Sequence, residues 1–340
     1  MCSKNTKILK IDDKSLKYAE NLIESEELVA FPTETVYGLG GLATSDVAVK
    51  KIYEAKGRPQ DNPLIVHVHE NYDLTKLVYI ENDYPLKLMK AFVPGPLTMI
   101  YKSKGVVSPS VSCGLDTLAI RIPSHTGCRE FLKYLDMPVA APSANVSKHT
   151  SPVTAEHVYN DLNGKIDLIL DGGKCSGGIE STVLDVTTDT PVILRSGLIT
   201  REMIKSVVGK CEYGDSKPTD KVRSPGVKYR HYCPKCETAL FKRDELDKAA
   251  ALYEEYVKAG KKPYYMCDEA VAEKLIKHGE NFLNLGKTGF DAASNLYFRL
   301  LEGEKVADII IAFEVDTGSE VDLSVMNRLK KACKPKTDND

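Results

Sequence analysis

The chain has 340 residues, of which 42% are hydrophobic and 28% charged, enough apolar mass for one large core or two smaller ones. Lys and Arg number 46 and Asp and Glu 48, so the formal net charge is −2, which excludes the strong basic excess of a protein that coats nucleic acid. No run of apolar residues reaches the about 18 that a transmembrane helix needs. The start carries charges without the apolar stretch of a signal peptide, and nine cysteines form an odd, scattered set. A cytoplasmic location with reduced thiols is expected.

In chain order, short runs rich in Val, Ile and Leu predict strands at 28–31, 64–68, 97–101, 118–122, 166–170, 183–186 and 192–194, each bounded by Gly, Pro, Asp or Asn. Residues 46–56 place Ala48, Val49, Ile52 and Tyr53 on one stripe, which predicts a helix stopped by Gly57 and Pro59. Apolar density falls from 209 to 232, where Gly, Pro, Asp and Lys dominate, and this tract reads as a linker. Beyond it, helices are expected at about 244–258, 268–277, 290–302 and 321–333, with strands at 264–266 and 308–313. The expected organisation is α/β throughout. Residues 1–208 form a mixed α/β domain, 209–232 a linker, and 233–340 a smaller three-layer α/β module.

Several segments carry polar groups where chemistry needs them. In Phe31-Pro-Thr-Glu-Thr-Val-Tyr-Gly, two hydroxyls and a carboxylate follow a strand end, either to hold a polar ligand or to cap a local turn. Lys56 suits the end of a helix through the helix dipole alone, but Arg58 lies beyond the stop. His67 and His69 share one face of a strand with Ile65, too little for a metal site with no Cys, Asp or Glu at ligand spacing. Arg121 sits inside the apolar strand Thr117-Leu-Ala-Ile-Arg-Ile and requires either an internal carboxylate or an anionic ligand. Ser143-Ala-Asn145, Ser147 and Ser151 place small residues and hydroxyls where a phosphate can approach. Ser181 and Arg195 add a hydroxyl and a cation. Neither usual phosphate-binding glycine motif is present, and Cys233-Pro-Lys-Cys236 is a single CxxC without a second pair for zinc.

Taken in order, PTETVYGLG, the KxR of Lys56-Gly-Arg58, the SxN of Ser143-Ala-Asn145, GIESTV, and Ser224-Pro-Gly-Val-Lys-Tyr-Arg-His-Tyr232 resemble one family. It is the long, two-domain form of the YrdC-like threonylcarbamoyladenylate synthases, and the resemblance runs nearly the whole length. It implies a twisted mixed-sheet domain around a concave, positively lined cavity. It also implies an enzyme that joins L-threonine, bicarbonate and ATP, with Mg²⁺, into threonylcarbamoyl-adenylate and pyrophosphate for a tRNA modification.

By position, the resemblance implies that Thr35, His67, Arg121, Ala141 and Ser181 surround threonine. Arg58, Asn62, Thr117, Ser143, Asn145, Ser151 and Arg195 would face the nucleotide, Lys56 and Arg58 would carry the catalytic charge, and Tyr229, Arg230 and His231 would close over the cavity. Gly41, Cys113 and Cys233 depart from the usual small residues without removing a matched ligand. The expected partners are the substrates and the proteins that transfer the product to tRNA, with no membrane and no stable nucleic-acid binding. Such chemistry needs positioned cations rather than a protein nucleophile. Two rival readings are a non-catalytic module for structured RNA and a carbamoyl-transfer enzyme of the hydrogenase-maturation type, whose paired zinc motifs this sequence lacks.

Overall fold

The computed structural model of the chain describes residues 4–214 and 232–333. Most of the expected linker, with Tyr229, Arg230 and His231, lies outside the described residues. The contacts divide into two units. The first is built on residues 4–147, 152–176 and 180–214, and the second on Lys148–Ser151, Gly177–Ile179 and 232–333. No helix among the described residues is long and apolar enough to cross a membrane.

In the second unit four parallel strands lie in the order Glu237–Phe241, Ile309–Phe313, Pro263–Cys267, Phe282–Asn284. The strand Ile309–Phe313 is buried along its length, as expected for a parallel strand covered on both faces. Ile309, Ile311 and Phe313 pack against Ala249, Leu252 and Tyr253 of the helix Leu246–Lys258 and against Val271 and Leu275 of the helix Glu269–Leu275. On the opposite face Ile310 lies under Gly303, the end of the helix Gly289–Gly303, which packs on the helix Val321–Ala332. This is the three-layer module expected from the sequence, with two further strands, Glu237–Phe241 and Phe282–Asn284. Lys148–Ser151 joins it through a buried pair between His149 and Glu304, 3.0 Å apart, and through Thr150, whose hydroxyl donates to the Tyr232 carbonyl.

The first unit is a mixed sheet of twelve strands. Along its main path the order is Lys7–Lys10, Leu168–Asp171, Val29–Phe31, Gly38–Leu42, Val139–Ala140, Ile65–His67, Thr117–Arg121, Leu97–Ser103, Thr182–Asp185, Val192–Arg195, Glu212–Tyr213. The strand Val78–Tyr79 pairs with Leu97–Ser103 off that path. Every strand expected in this half forms, shifted by a residue or two. Helix Asp13–Glu24 begins with a capping box between Asp12 and Ser15, and its Leu16, Ala19 and Ile23 follow helical spacing. That stripe and the apolar face of helix Thr126–Leu135 cover Val29, Phe31, Leu168 and Leu170. Each fully buried Leu, Ile or Phe there contributes about 1.5–3 kcal/mol.

Two glycines shape what the sheet presents. Helix Asp46–Lys56 ends at Gly57, which is left-handed at φ 59°, with Arg58 N–H donating to the Tyr53 carbonyl and Gly57 N–H to that of Glu54. This doubly bonded turn sends Lys56 and Arg58 in different directions. The strand Gly38–Leu42 was not expected, since its glycines read as a turn. A Cβ on Gly40 would lie 2.8 Å from both Phe31 Cε1 and Val139 Cγ1. The missing side chain is what allows the strand to pass, and Phe31 cannot retreat because it already packs on Phe131 and His67. Gly40→Ala should therefore cost about 1–3 kcal/mol through overpacking. Urea unfolding should show a lower midpoint at unchanged slope, and an unshifted midpoint would contradict the tight passage.

Candidate active site

The polar centre of the first unit is a row across three neighbouring strands. His67 pairs in register with Arg121 in the parallel direction, and Arg121 with Thr98 in the antiparallel direction, so all three side chains leave the sheet on one face. Ile65, Ile100, Ala119 and Val183 make the apolar floor beside them.

Arg121 is 5% exposed, and its Nη2 donates to Glu34 Oε1 at 2.7 Å. Glu34 Oε2 in turn accepts from the Ser124 backbone N–H at 3.1 Å, so the carboxylate is held at both oxygens. Arg121 Nε is buried and has no hydrogen-bond partner among the described residues. The internal carboxylate that this strand arginine required is therefore present, and it leaves a buried guanidinium donor open. Loss of one member of such a pair strands the other charge.

His67 is buried and stands edge-on to Phe31, ring centroids 5.8 Å apart. Burial, reinforced by the Arg121 charge, lowers its pKa to about 3, so the ring is neutral at physiological pH. Its Nδ1 lies 3.2 Å from the Ile65 carbonyl, which can only accept; Nδ1 therefore carries the proton and Nε2 is an acceptor. His69 does not converge with it and pairs with Asp136 at 2.9 Å.

Around this row the other expected threonine-side residues gather. Thr35 is fully buried, its hydroxyl 2.9 Å from that of Thr33, which donates onward to the Val36 carbonyl. Ala141 leaves the strand Val139–Ala140 with its N–H on the Ile65 carbonyl, and its Cβ faces the side of Gly38. The Ser181 hydroxyl lies 2.7 Å from that of Thr98. Arg195, expected on the nucleotide side, donates from Nε to the Ser181 carbonyl at 3.1 Å and from Nη2 to the Ser181 hydroxyl at 3.2 Å. The two expected residue sets thus meet at Ser181.

Of the other residues expected on the nucleotide side, Lys56, Arg58, Asn62, Ser143 and Asn145 lie around the end of helix Asp46–Lys56. Lys56 is 3% exposed and directs its ammonium at the carbonyls of Ser143 and Asn145. Burial and the neighbouring Arg58 push its pKa well below the usual lysine range, opposed by the nearby Asp161 carboxylate. Arg58 is half-buried and donates from Nη2 to the Asn62 carbonyl at 3.2 Å. Asn62 is buried, its Oδ1 has no hydrogen-bond partner among the described residues, and its carbonyl also lies 3.1 Å from the Tyr53 hydroxyl. Cys113 approaches the same hydroxyl at 3.5 Å, and burial pushes its thiol up rather than activating it.

Not every expected residue joins these groups. Thr117 lies at the far end of its strand from Arg121, opposite Lys102. Ser151 is buried and falls in the second unit. Glu34 enters the sequence reading only within its Thr-Glu-Thr segment, and Thr98 does not enter it. The available signals were an acid between two threonines just past a buried strand, and a threonine inside the apolar run Leu97–Tyr101.

The fold and this site define an α/β enzyme domain followed by a small parallel-sheet domain. Residues 21–197 match the Sua5–YciO–YrdC family profile, described as "Telomere recombination", and residues 199–333 match the profile described as "Threonylcarbamoyl-AMP synthase, C-terminal domain". The chain is 42% identical to the threonylcarbamoyl-AMP synthase of Bacillus subtilis, over 95% of this chain and 94% of that protein. It is 38% identical to the Schizosaccharomyces pombe enzyme of that name, over 94% and 88%. The crystal structure of Pyrococcus abyssi Sua5 complexed with L-threonine superposes with a TM-score of 0.85 at 38% identity, covering 96% of each chain. The chain belongs to the threonylcarbamoyl-AMP synthase family, in its two-domain form. Membership in a family of enzymes sets aside the reading as a non-catalytic RNA-binding module.

Glu34→Ala should destabilise the first unit by about 3–5 kcal/mol, the usual consequence of stranding a buried charge. Chemical denaturation measures it, and a change of a few tenths would show that Arg121 finds another partner. His67 gives a pH signature. Because its folded pKa lies below the unfolded 6.5, stability is full above 6.5 and falls as pH drops toward 3. His67→Gln should decline less over that window, whereas identical pH slopes for the two proteins would show that the ring charges freely in the fold.

Proposed function

We propose that this chain makes threonylcarbamoyl-AMP and pyrophosphate from L-threonine, bicarbonate and MgATP. The observation that carries the reading is Arg121, a buried guanidinium held on one edge by Glu34 with a buried N–H still to satisfy. A substrate carboxylate is its chemical complement, and guanidinium geometry suits a carboxylate better than an ammonium does.

In this reading Thr35, His67, Ala141 and Ser181 surround the amino acid. Neutral His67 offers Nε2 as an acceptor for a substrate N–H or O–H, and the hydroxyls of Thr35 and Ser181 can do the same or donate. The threonine amine adds to CO₂ derived from bicarbonate, with loss of a proton, to give a carbamate. A carbamate oxygen then forms a bond to the α-phosphorus of ATP while the bond to the bridging oxygen of the leaving pyrophosphate breaks. Charge gathers on phosphate oxygens in that step, so fixed donors lower the barrier without a covalent enzyme intermediate.

Arg58 and Arg195 are the cations suited to that task, with Asn62, Ser143 and Asn145 beside Arg58 on the nucleotide side. Arg195 reaches Ser181, which supports an α-phosphate meeting the carbamate at that point. Mg²⁺ arrives with ATP as part of the substrate. The product supplies separate proteins that modify tRNA. With no disulfide joining the described cysteines, a reducing compartment such as the cytoplasm suits the chain.

Mass spectrometry of nucleotide products, with threonine, bicarbonate and ATP each omitted in turn, tests the reading. The adenylate should appear only when all three are present, and AMP or ADP formed without threonine would overturn it. Arg121→Lys should weaken threonine binding by about tenfold or more, as expected for a lost charge-assisted hydrogen bond, and leave ATP binding nearly unchanged. Calorimetry that finds equal losses for both ligands would point instead to a collapsed site.

A further inference from the structure

We propose that Lys56 is a positioning residue, whose ammonium clips the Ser143–Ser147 loop in place instead of binding phosphate directly. The inference rests on the reading of that loop as the nucleotide side. Its ground is a count of donors. An ammonium has three N–H groups. Around Lys56 Nζ stand three acceptors, the carbonyls of Ser143 and Asn145 and, at 3.4 Å, the Asn145 side-chain oxygen. All three belong to the loop, and they use the whole donor capacity of the group.

The main chain repeats the attachment, since the Ser147 N–H donates to the Lys56 carbonyl at 2.7 Å. Lys56 therefore grips both ends of the loop, near 143 with its side chain and at 147 with its backbone. The loop is also tied elsewhere. The Ala144 N–H donates to Tyr37 and the Val146 N–H to Asp161. Three oxygens that converge on one buried point repel each other, so removing the cation leaves acceptors without their donor. The loop would then open or re-form, and Ser143 and Asn145 would lose their places.

Gly57 makes the division of labour possible. Its left-handed turn lets Lys56 face inward to the loop while Arg58, two residues on, lies half-exposed beyond the helix end. In the Lys-x-Arg pair, then, the first cation organises protein and the second is the one placed to meet a ligand.

Hydrogen–deuterium exchange of the full chain without nucleotide separates the alternatives, with Lys56→Met as the variant. A clip predicts that peptides covering 143–147 exchange about tenfold faster or more, as for loss of a charge-assisted hydrogen bond. It also predicts a raised KM for ATP with threonine KM nearly unchanged, because the damage is confined to one loop. Native exchange in the unliganded variant together with weakened ATP binding would overturn the proposal in favour of direct phosphate contact.

If Lys56→Met fails to fold, Lys56→Arg serves. It keeps the charge for a phosphate but its planar fork cannot cap three converging oxygens, so faster loop exchange is expected and native exchange with native ATP binding overturns the clip. A wild-type chain that protects the loop, loses that protection in Lys56→Met, and binds no ATP would uphold the clip while refuting the nucleotide reading.

Discussion

A guanidinium in the middle of an apolar sheet is costly unless its charge is met, and in this protein Glu34 meets that of Arg121. Much of the site follows from that single pairing. Glu34 can reach Arg121 only because the chain turns at Thr33–Thr35 just past the strand Val29–Phe31, a turn secured by the Thr33 hydroxyl on Val36. The Ser124 N–H fixes the second carboxylate oxygen, so the carboxylate cannot swing away. On either side of Arg121, register places His67 and Thr98, and Thr98 links through Ser181 to Arg195. The result is a line of polar groups on an apolar floor, each oriented by a neighbour other than the ligand. Such preorganisation suits a reaction that needs charge placed beforehand rather than a nucleophile.

The cations of the site fall into two kinds. Arg121 and Lys56 are buried and held by protein oxygens, the first by a carboxylate and the second by carbonyls. Their partners differ in consequence. Glu34 meets the Arg121 charge through one N–H while Nε–H has no partner among the described residues. Carbonyls satisfy the Lys56 donors without countering its charge as a carboxylate partner does. Arg58 and Arg195 are more accessible and rest on backbone or hydroxyl oxygens, and they are the two cations proposed to meet a ligand.

Much of this was legible in the sequence. The helix Asp46–Lys56 was marked by its stripe and its glycine stop, and Arg121 was conspicuous as a charge inside an apolar strand. Two alternatives were open for that arginine, an internal carboxylate or an anion, and nothing local to the strand could name Glu34, 87 residues away, as the partner. The strands Gly38–Leu42, Val139–Ala140 and Phe282–Asn284 escaped for a different reason. Glycine-rich or two- to three-residue segments have no period of their own, and they become strands only because neighbours supply the other half of each hydrogen-bond ladder. Lys56 was legible as a helix-end cation, but its carbonyl partners were not, since backbone acceptors leave no mark in a sequence.

The sequence by itself determined the α/β class, most of the elements, the presence of two domains' worth of apolar mass and the residue types of the site. These depend on local periodicity, capping and turn chemistry, which act over a few residues. Tertiary structure alone decided which strands are neighbours, and hence that His67, Arg121 and Thr98 stand in one row. It also decided that Phe31 and Val139 close on Gly40 and that the SxN loop folds back on Lys56. Those outcomes depend on contacts between residues tens of positions apart, whose energy exists only once the sheet has brought them together.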